Sequence, residues 1–165
     1  MTARLDPTST LISVGWDDPR AVELRRVMDV EIMPRYEGRI VETVPGEIDA
    51  ALAVNPEFVR ATVLALDADG TPIAHAALKD IRGDWEVKRV IVTIAARGRG
   101  VGRALMNELE TIARAAGRPR LILQTGDRQP DAVHLYETLG YTPIPAYEPY
   151  ATAIPFSLCF EKVLD

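Results

Sequence analysis

The run from Val90 to Met106 concentrates more potential chemistry than any other stretch of this chain. Three β-branched residues, Val90, Ile91 and Val92, lead into a turn where Gly98, Gly100 and Gly102 are interleaved with Arg97, Arg99, Val101 and Arg103. Glycine leaves the backbone uncovered, so successive N–H groups can approach a ligand closely. Ala104, Leu105 and Met106 continue into an amphipathic helix, whose N-terminus adds partial positive charge. Uncovered amides, a helix end and three guanidiniums make a cradle for phosphate. A Walker loop is excluded, because no Gly-Lys-Ser/Thr opens the helix. A dinucleotide fingerprint needs G-x-G-x-x-G after the first strand of a βαβ unit. Here the spacing is G-x-G-x-G, and three strands and a helix come first.

These residues need elements to position them. Thr10 to Val14 reads as a first strand. Asp17-Asp18-Pro19 starts a helix that places Ala21, Leu24, Met28 and Ile32 on one face, and Pro34 is expected to close it. Residues 40–57 should hold a short helix between loops. Strands Phe58 to Leu66 and Pro72 to Ile81 flank the turn Asp67-Ala68-Asp69-Gly70-Thr71, a strong hairpin signal. A third strand, Trp85 to Val92, follows Arg82-Gly83-Asp84. Beyond the glycine turn, Val101, Leu105, Leu109, Ile112 and Ala116 form a helical face that Gly117 ends. Leu121-Ile122-Leu123 is a short apolar strand. Ala132, Leu135, Tyr136 and Leu139 line a further helix stopped at Gly140, and Phe156, Leu158 and Phe160 alternate in a last strand. This order specifies a mixed α/β fold with a partly antiparallel sheet.

Composition narrows the partners. The 165 residues, 47% apolar and 26% charged, suit one soluble domain spanning residues 1–165. A net charge of −5 argues against nucleic acid or an acidic membrane as partner, so the arginine-rich turn is a local patch for a small anion. Cys159 is the only cysteine, which leaves no internal disulfide and no cysteine-based zinc site, and no metal is expected. It reads as a packing residue. No long apolar run occurs, and Met1 to Pro7 lacks a signal-peptide core, so a cytoplasmic location is expected.

Two motifs then carry a family resemblance. Arg97-Gly98-Arg99-Gly100-Val101-Gly102 resembles the Q/R-x-x-G-x-G/A signature of the GNAT (GCN5-related) N-acetyltransferases. Ala132-Val133-His134-Leu135-Tyr136-Glu137-Thr138-Leu139-Gly140-Tyr141 resembles their second motif, A-x-x-L-Y-x-x-x-G-F/Y, and Ser157 to Lys162 is similar to a common ending of bacterial members. The resemblance implies a mostly antiparallel sheet, splayed at the cofactor site and flanked by helices. It also implies acetyl-CoA as cofactor and a small-molecule or peptide amine as acceptor.

Residue roles follow from the same resemblance. The pyrophosphate should lie on the N–H groups of Gly98 to Ala104, and Val90, Ile91 and Val92 should offer backbone groups to the pantetheine. Gln129 stands where many relatives place a pantetheine-contacting asparagine. Tyr136 is the expected donor to the departing thiolate, since a tyrosine with a pKa of about 10 stays protonated near neutrality. Glu86, eleven residues before Arg97, matches the glutamate base of histone-acetylating members, acting directly or through water; its other reading is a solvated carboxylate paired with Lys88 or Arg89. His75 on the neighbouring strand is the alternative base or a satisfied core residue, and His134 should be exposed. Tyr147 and Tyr150, in a proline-rich run, and Tyr36, after the first helix, are candidate acceptor-pocket residues. Dimers are frequent in the family. Two rivals remain open at this level: an O-acyl or longer-acyl transferase on the same scaffold, and a non-catalytic acyl-CoA-binding module, which would need the glycine turn but neither Tyr136 nor Glu86.

Overall fold

The computed structural model describes residues 8–39 and 46–165. Part of the expected helical region at 40–57, and the segment Met1 to Pro7, therefore lie outside the described residues. The elements run β1 (Thr10–Ser13), α1 (Pro19–Tyr36), α2 (Glu47–Leu52), β2 (Val59–Leu66), β3 (Pro72–Ile81), β4 (Asp84–Val92), α3 (Val101–Ala115), β5 (Arg120–Gly126), α4 (Pro130–Thr138), β6 (Thr142–Ile144), α5 (Tyr150–Ala153) and β7 (Ser157–Val163). Single 3₁₀ turns at Pro56–Phe58 and Ile94–Ala96 precede β2 and the glycine turn.

One seven-stranded sheet, in the order β1-β2-β3-β4-β5-β7-β6, organises the molecule. β1 to β4 form an antiparallel meander, helped by the Asp67–Thr71 turn, where the Asp67 N–H donates to the Thr71 carbonyl at 2.8 Å. β4 and β5 are the parallel pair, and α3 makes the crossover between them. Strand β6 was not evident in the sequence; Pro143 is tolerated there because β6 lies at the sheet's edge and pairs only with β7.

Each face of the sheet is covered by its own apolar cluster. α3 presents Val101, Leu105, Met106, Leu109 and Ala113 to Val63, Leu78, Val87, Leu121 and Leu123. On the other face, Ala21 and Leu24 of α1 meet Leu64 and Ile91, and Tyr150 and Ala153 of α5, with Ile154 just after it, meet Ala51 of α2.

α1 buries little: among its residues only Ala21 and Leu24 are fully covered. Polar ties to the sheet supplement that burial. Arg25 meets His75 at 3.0 Å, Asp29 accepts from Arg89 at 2.9 Å, and Glu31 accepts from Arg97 at 2.6 Å. The expectation that Pro34 ends this helix needs correction, because α1 continues through it to Tyr36. Pro34 falls in the last turn, where its missing N–H deprives the helix of one hydrogen bond near an end that frays anyway. The extra turn carries Tyr36 inward over the sheet.

Candidate active site

Where β4 and β5 run side by side, pairing holds for Trp85 with Leu121, Glu86 with Ile122 and Val87 with Leu123, and goes no further. From Lys88 onward the two strands diverge. Alternate backbone groups of Lys88 to Val92 thus face an edge without a strand partner, a template for an extended ligand. The divergence opens a cleft of about 860 Å³. β4 contributes Val87 to Val90, β5 contributes Gln124 to Gly126, and α4 with its preceding loop contributes Gln129, Ala132 and Tyr136. The far wall is α1 (Met28, Ile32, Met33, Tyr36) and α2 (Ile48, Leu52).

A bulge in β4 shapes the cleft's floor. His75 faces Ile91 and Ala77 faces Lys88, so Ala76 alone opposes the two residues Arg89 and Val90. Arg89 takes φ +55, rare for a residue with a side chain. His75 pins it: the ring Nδ1 lies 2.7 Å from the Arg89 carbonyl, which requires the proton on Nδ1. Nε2 then accepts from Arg25, whose guanidinium lies 3.6 Å from the Trp16 ring centre. Burial, with Arg25 and Arg89 adding to it against the Arg89 hydrogen bond, depresses His75 to about 4. His75 is fully buried and does not line the cleft. It is a satisfied core histidine that holds the bulge.

Tyr136 does line the cleft, 6% exposed, with its ring edge-on to Tyr141 at 6.0 Å. Its motif spacing has a local cause. Gly140 adopts φ +90 after α4, and the Gly140 and Tyr141 N–H groups donate to the carbonyls of Glu137 and Tyr136, a Schellman closure. That closure packs Tyr141 back against Tyr136 and fixes the ring. The Tyr136 hydroxyl makes no hydrogen bond among the described residues, and burial alone raises it well above the usual tyrosine range. It is a donor awaiting an acceptor.

Glu86 occupies a different position from the one a directly acting base would need. It is fully buried, outside the cleft lining, and accepts from Tyr147 at 2.5 Å and Tyr150 at 3.0 Å. Tyr147 and Tyr150, expected on the acceptor pocket, are held there instead. Tyr150 opens α5 and is completely buried, while Tyr147 lines a separate cavity of about 300 Å³. The proline-rich run thus folds inward because two tyrosine hydroxyls satisfy a buried carboxylate.

Lys88 joins this cluster, and the sequence marked it only as a possible ion-pair partner of Glu86. Its Nζ donates to Tyr150 at 2.8 Å, lies 3.6 Å from Glu86, and the residue lines the cleft while 6% exposed. Burial lowers it from the ordinary 10.5 to about 8; Glu86 opposes the shift, and Lys79 and Arg89 reinforce it.

Tyr36 bridges the cleft's two walls. Its hydroxyl accepts from the Arg128 N–H at 3.2 Å and from Gln129 Nε2 at 3.4 Å, and its ring stacks on Phe156 at 5.5 Å. Gly126 permits this approach, since a Cβ there would overlap the Tyr36 hydroxyl.

Beyond the end of β4, the glycine turn shows which parts can meet an anion. Gly98 and Gly100 take φ +79 and +77, and α3 begins at Gly100 without a side-chain cap, leaving the amides of Val101, Gly102 and Arg103 unclaimed by one. Gly102 lets α3 approach α4, for its Cβ would meet Leu135 at 3.2 Å. Two arginines depart from expectation. Arg97 pairs with Glu31 at 2.6 and 2.8 Å and donates to the Val92 carbonyl, and Arg99 pairs with Asp67 at 3.1 Å. A guanidinium fork fits a carboxylate as well as a phosphate, and here it ties the turn to α1 and to the β2–β3 hairpin. The Ile91 side chain packs into the cluster under α1, which leaves only its backbone groups for the expected role. Cys159 is buried and His134 exposed. No helix among the described residues is long and apolar enough to cross a membrane.

Residues 35–141 match the model of the acetyltransferase (GNAT) family. An IAA acetyltransferase of Azospirillum brasilense is 33% identical over 138 residues, covering 82% of this chain and 88% of that protein. Among solved structures, a Klebsiella pneumoniae protein provisionally assigned as an acyl-CoA N-acyltransferase superposes with a TM-score of 0.77 at 25% identity, covering 97% of this chain and all of that one. A GNAT family acetyltransferase from Elizabethkingia anophelis, solved with acetyl-CoA bound, gives a TM-score of 0.67 at 14% identity over 96% of this chain and all of that one.

Proposed function

The chain belongs to the GNAT acetyltransferase family, and from that premise we propose that it transfers the acetyl group of acetyl-CoA to an amine of a small molecule or peptide. The observation that carries this reading is the β4–β5 cleft with the unpartnered Tyr136 hydroxyl on its wall. Acetyl-CoA suits it in shape and donor set: an extended arm for the unpaired edge, and a pyrophosphate for the uncapped start of α3. When bound it supplies an activated acyl thioester.

The chain's own residues divide the remaining work. The amides of Gly98 to Arg103 bind anionic oxygens without a competing side-chain cap, whereas the expected Ala104 N–H already donates to the Gly100 carbonyl at 3.1 Å. Backbone groups of Val90, Ile91 and Val92 orient the arm, with the Gln129 amide on the opposite wall; that amide must exchange its contact with Tyr36, and the Val92 carbonyl its contact with Arg97, to do so. Tyr136 stays protonated at every working pH and donates toward the departing sulfur. Glu86 acts from behind the cleft, as the fixed negative charge that orients Tyr150 and Lys88. Tyr36 and Phe156 close the acceptor side with an apolar, aromatic surface.

A screen of an amine library against acetyl-CoA, following release of the CoA thiol, tests the proposal. Thiol release with a subset of amines, and acetylated amine as product, is the expected result. Binding of acetyl-CoA with no release beyond hydrolysis for any amine would point to a binding module instead.

A further inference from the structure

We propose that Lys88 is the proton acceptor for the incoming amine, with Tyr150 and Glu86 as the hydrogen-bonded support that holds it. The inference rests on the acetyl-transfer reading above. A base must reach the acceptor nitrogen directly or through one water, so it needs a lone pair that is not already held by protein donors. Glu86 is not one: it is fully buried and already accepts from two tyrosines. His75 is not one either, because both ring nitrogens are engaged beneath the bulge. Lys88 lines the cleft, on the diverging stretch of β4 and on the same cleft as Tyr136.

The charges around Lys88 explain how an amine can do this work near neutral pH. Glu86 on its own strand attracts the ammonium form at 3.6 Å. Against that stand burial, Lys79 on β3 and Arg89 on β4. Tyr150 from α5 accepts from Nζ and is itself neutral, as is Tyr147, while Cys159 on β7 is a buried thiol whose burial keeps it protonated. Burial and the neighbouring cations outweigh the single carboxylate, and Lys88 titrates at about 8 rather than 10.5. At pH 7.5 roughly a quarter of the molecules then hold a neutral Nζ, against about one in a thousand for an ordinary lysine.

The proton balance closes. Neutral Lys88 takes one proton from the acceptor ammonium, becomes charged, and returns that proton to solvent after the turnover. The nitrogen lone pair forms the bond to the acetyl carbon as the carbon–sulfur bond breaks. Tyr136 gives a proton to the departing sulfur, and the second proton lost from nitrogen restores the Tyr136 hydroxyl. One ammonium and one thioester yield one amide, one thiol and one proton.

The chain contains three lysines, Lys79, Lys88 and Lys162, so ¹³C,¹⁵N-lysine labelling gives three side-chain signals to titrate by NMR. The Lys88 signal, assigned by its loss in Lys88→Arg, should titrate near 8, well below the ordinary lysine value of 10.5, and Tyr150→Phe should move its midpoint. Lys88→Arg keeps the charge but cannot be deprotonated. It should bind acetyl-CoA like the wild type, yet lose about 100-fold or more in turnover at pH 7.5 with an amine found in the screen. The wild-type rate inflection near pH 8 should vanish in it. A Lys88 midpoint at the ordinary 10.5 would overturn the proposal, as would wild-type turnover in Lys88→Arg. Failure of the wild type itself to bind acetyl-CoA, or to release thiol with any amine, would strike the acetyl-transfer reading instead. The titration decides the state of Lys88 in either case.

Discussion

Replacing His75 with asparagine should remove a specific part of the protein's acid sensitivity. Folded, His75 is neutral, with Nδ1–H given to the Arg89 carbonyl and Nε2 facing Arg25. Protonation would put a second donor and a positive charge against that guanidinium, inside a fully buried site. The pKa therefore falls from 6.5 to about 4, with burial as the first cause. The sign follows directly. As pH drops below about 6.5 the unfolded chain binds a proton that the folded chain refuses until about 4, so stability is full above 6.5 and declines across that window. At about 1.4 kcal/mol per pH unit the full loss is roughly 3.4 kcal/mol, and about 2.5 kcal/mol of it falls between pH 7.5 and 4.5.

Urea unfolding of wild type and His75→Asn at both pH values measures this as a double difference. Asparagine retains a donor for the Arg89 carbonyl and does not titrate, and the surface carboxylates contribute equally to both proteins and cancel. Wild type should lose roughly 2.5 kcal/mol more than the variant on acidification. Parallel losses in the two proteins would refute the assignment of a neutral, bulge-pinning His75.

Other perturbations probe the cleft. Tyr136→Phe should leave acetyl-CoA affinity unchanged and reduce turnover about 100-fold, read as a fall in kcat without a change in Kd; unchanged kcat would remove the hydroxyl from the chemistry. Gly126→Ala should expel the Tyr36 hydroxyl from Gln129 and the Arg128 N–H, at a cost of about 1–3 kcal/mol in urea unfolding, and Tyr36→Phe should recover part of it. An Ala variant as stable as wild type would show that Tyr36 does not occupy that position in solution.

The sequence made local features legible and left long-range pairings hidden. The hairpin at Asp67–Thr71, the helix opening at Gly100 and the closure at Gly140 are written in adjacent residues, so their positions could be read directly. The family motifs placed the splay and Tyr136. Pro34 misled because a proline's penalty depends on how many turns follow it, and here barely one does. The cluster of Glu86, Lys88, Tyr147 and Tyr150 joins residues more than sixty positions apart, and only the fold brings them together. Lys88 carried no catalytic signal because it sits in a run, Glu86-Val87-Lys88-Arg89, that reads as an ordinary charged strand face. Arg97 and Arg99 looked like phosphate ligands because the turn's composition says nothing of Glu31 and Asp67 opposite them.

On the function proposed above, the opening between β4 and β5 holds acetyl-CoA, with its phosphates at the start of α3. The most direct measurement is a titration of acetyl-CoA into ¹⁵N-labelled protein, following backbone amides by NMR. Saturable shifts concentrated at Lys88 to Val92, Gly98 to Ala104 and Gln124 to Gln129 are the predicted result. Saturation with shifts confined to other surfaces, or no shifts at millimolar acetyl-CoA, would contradict it.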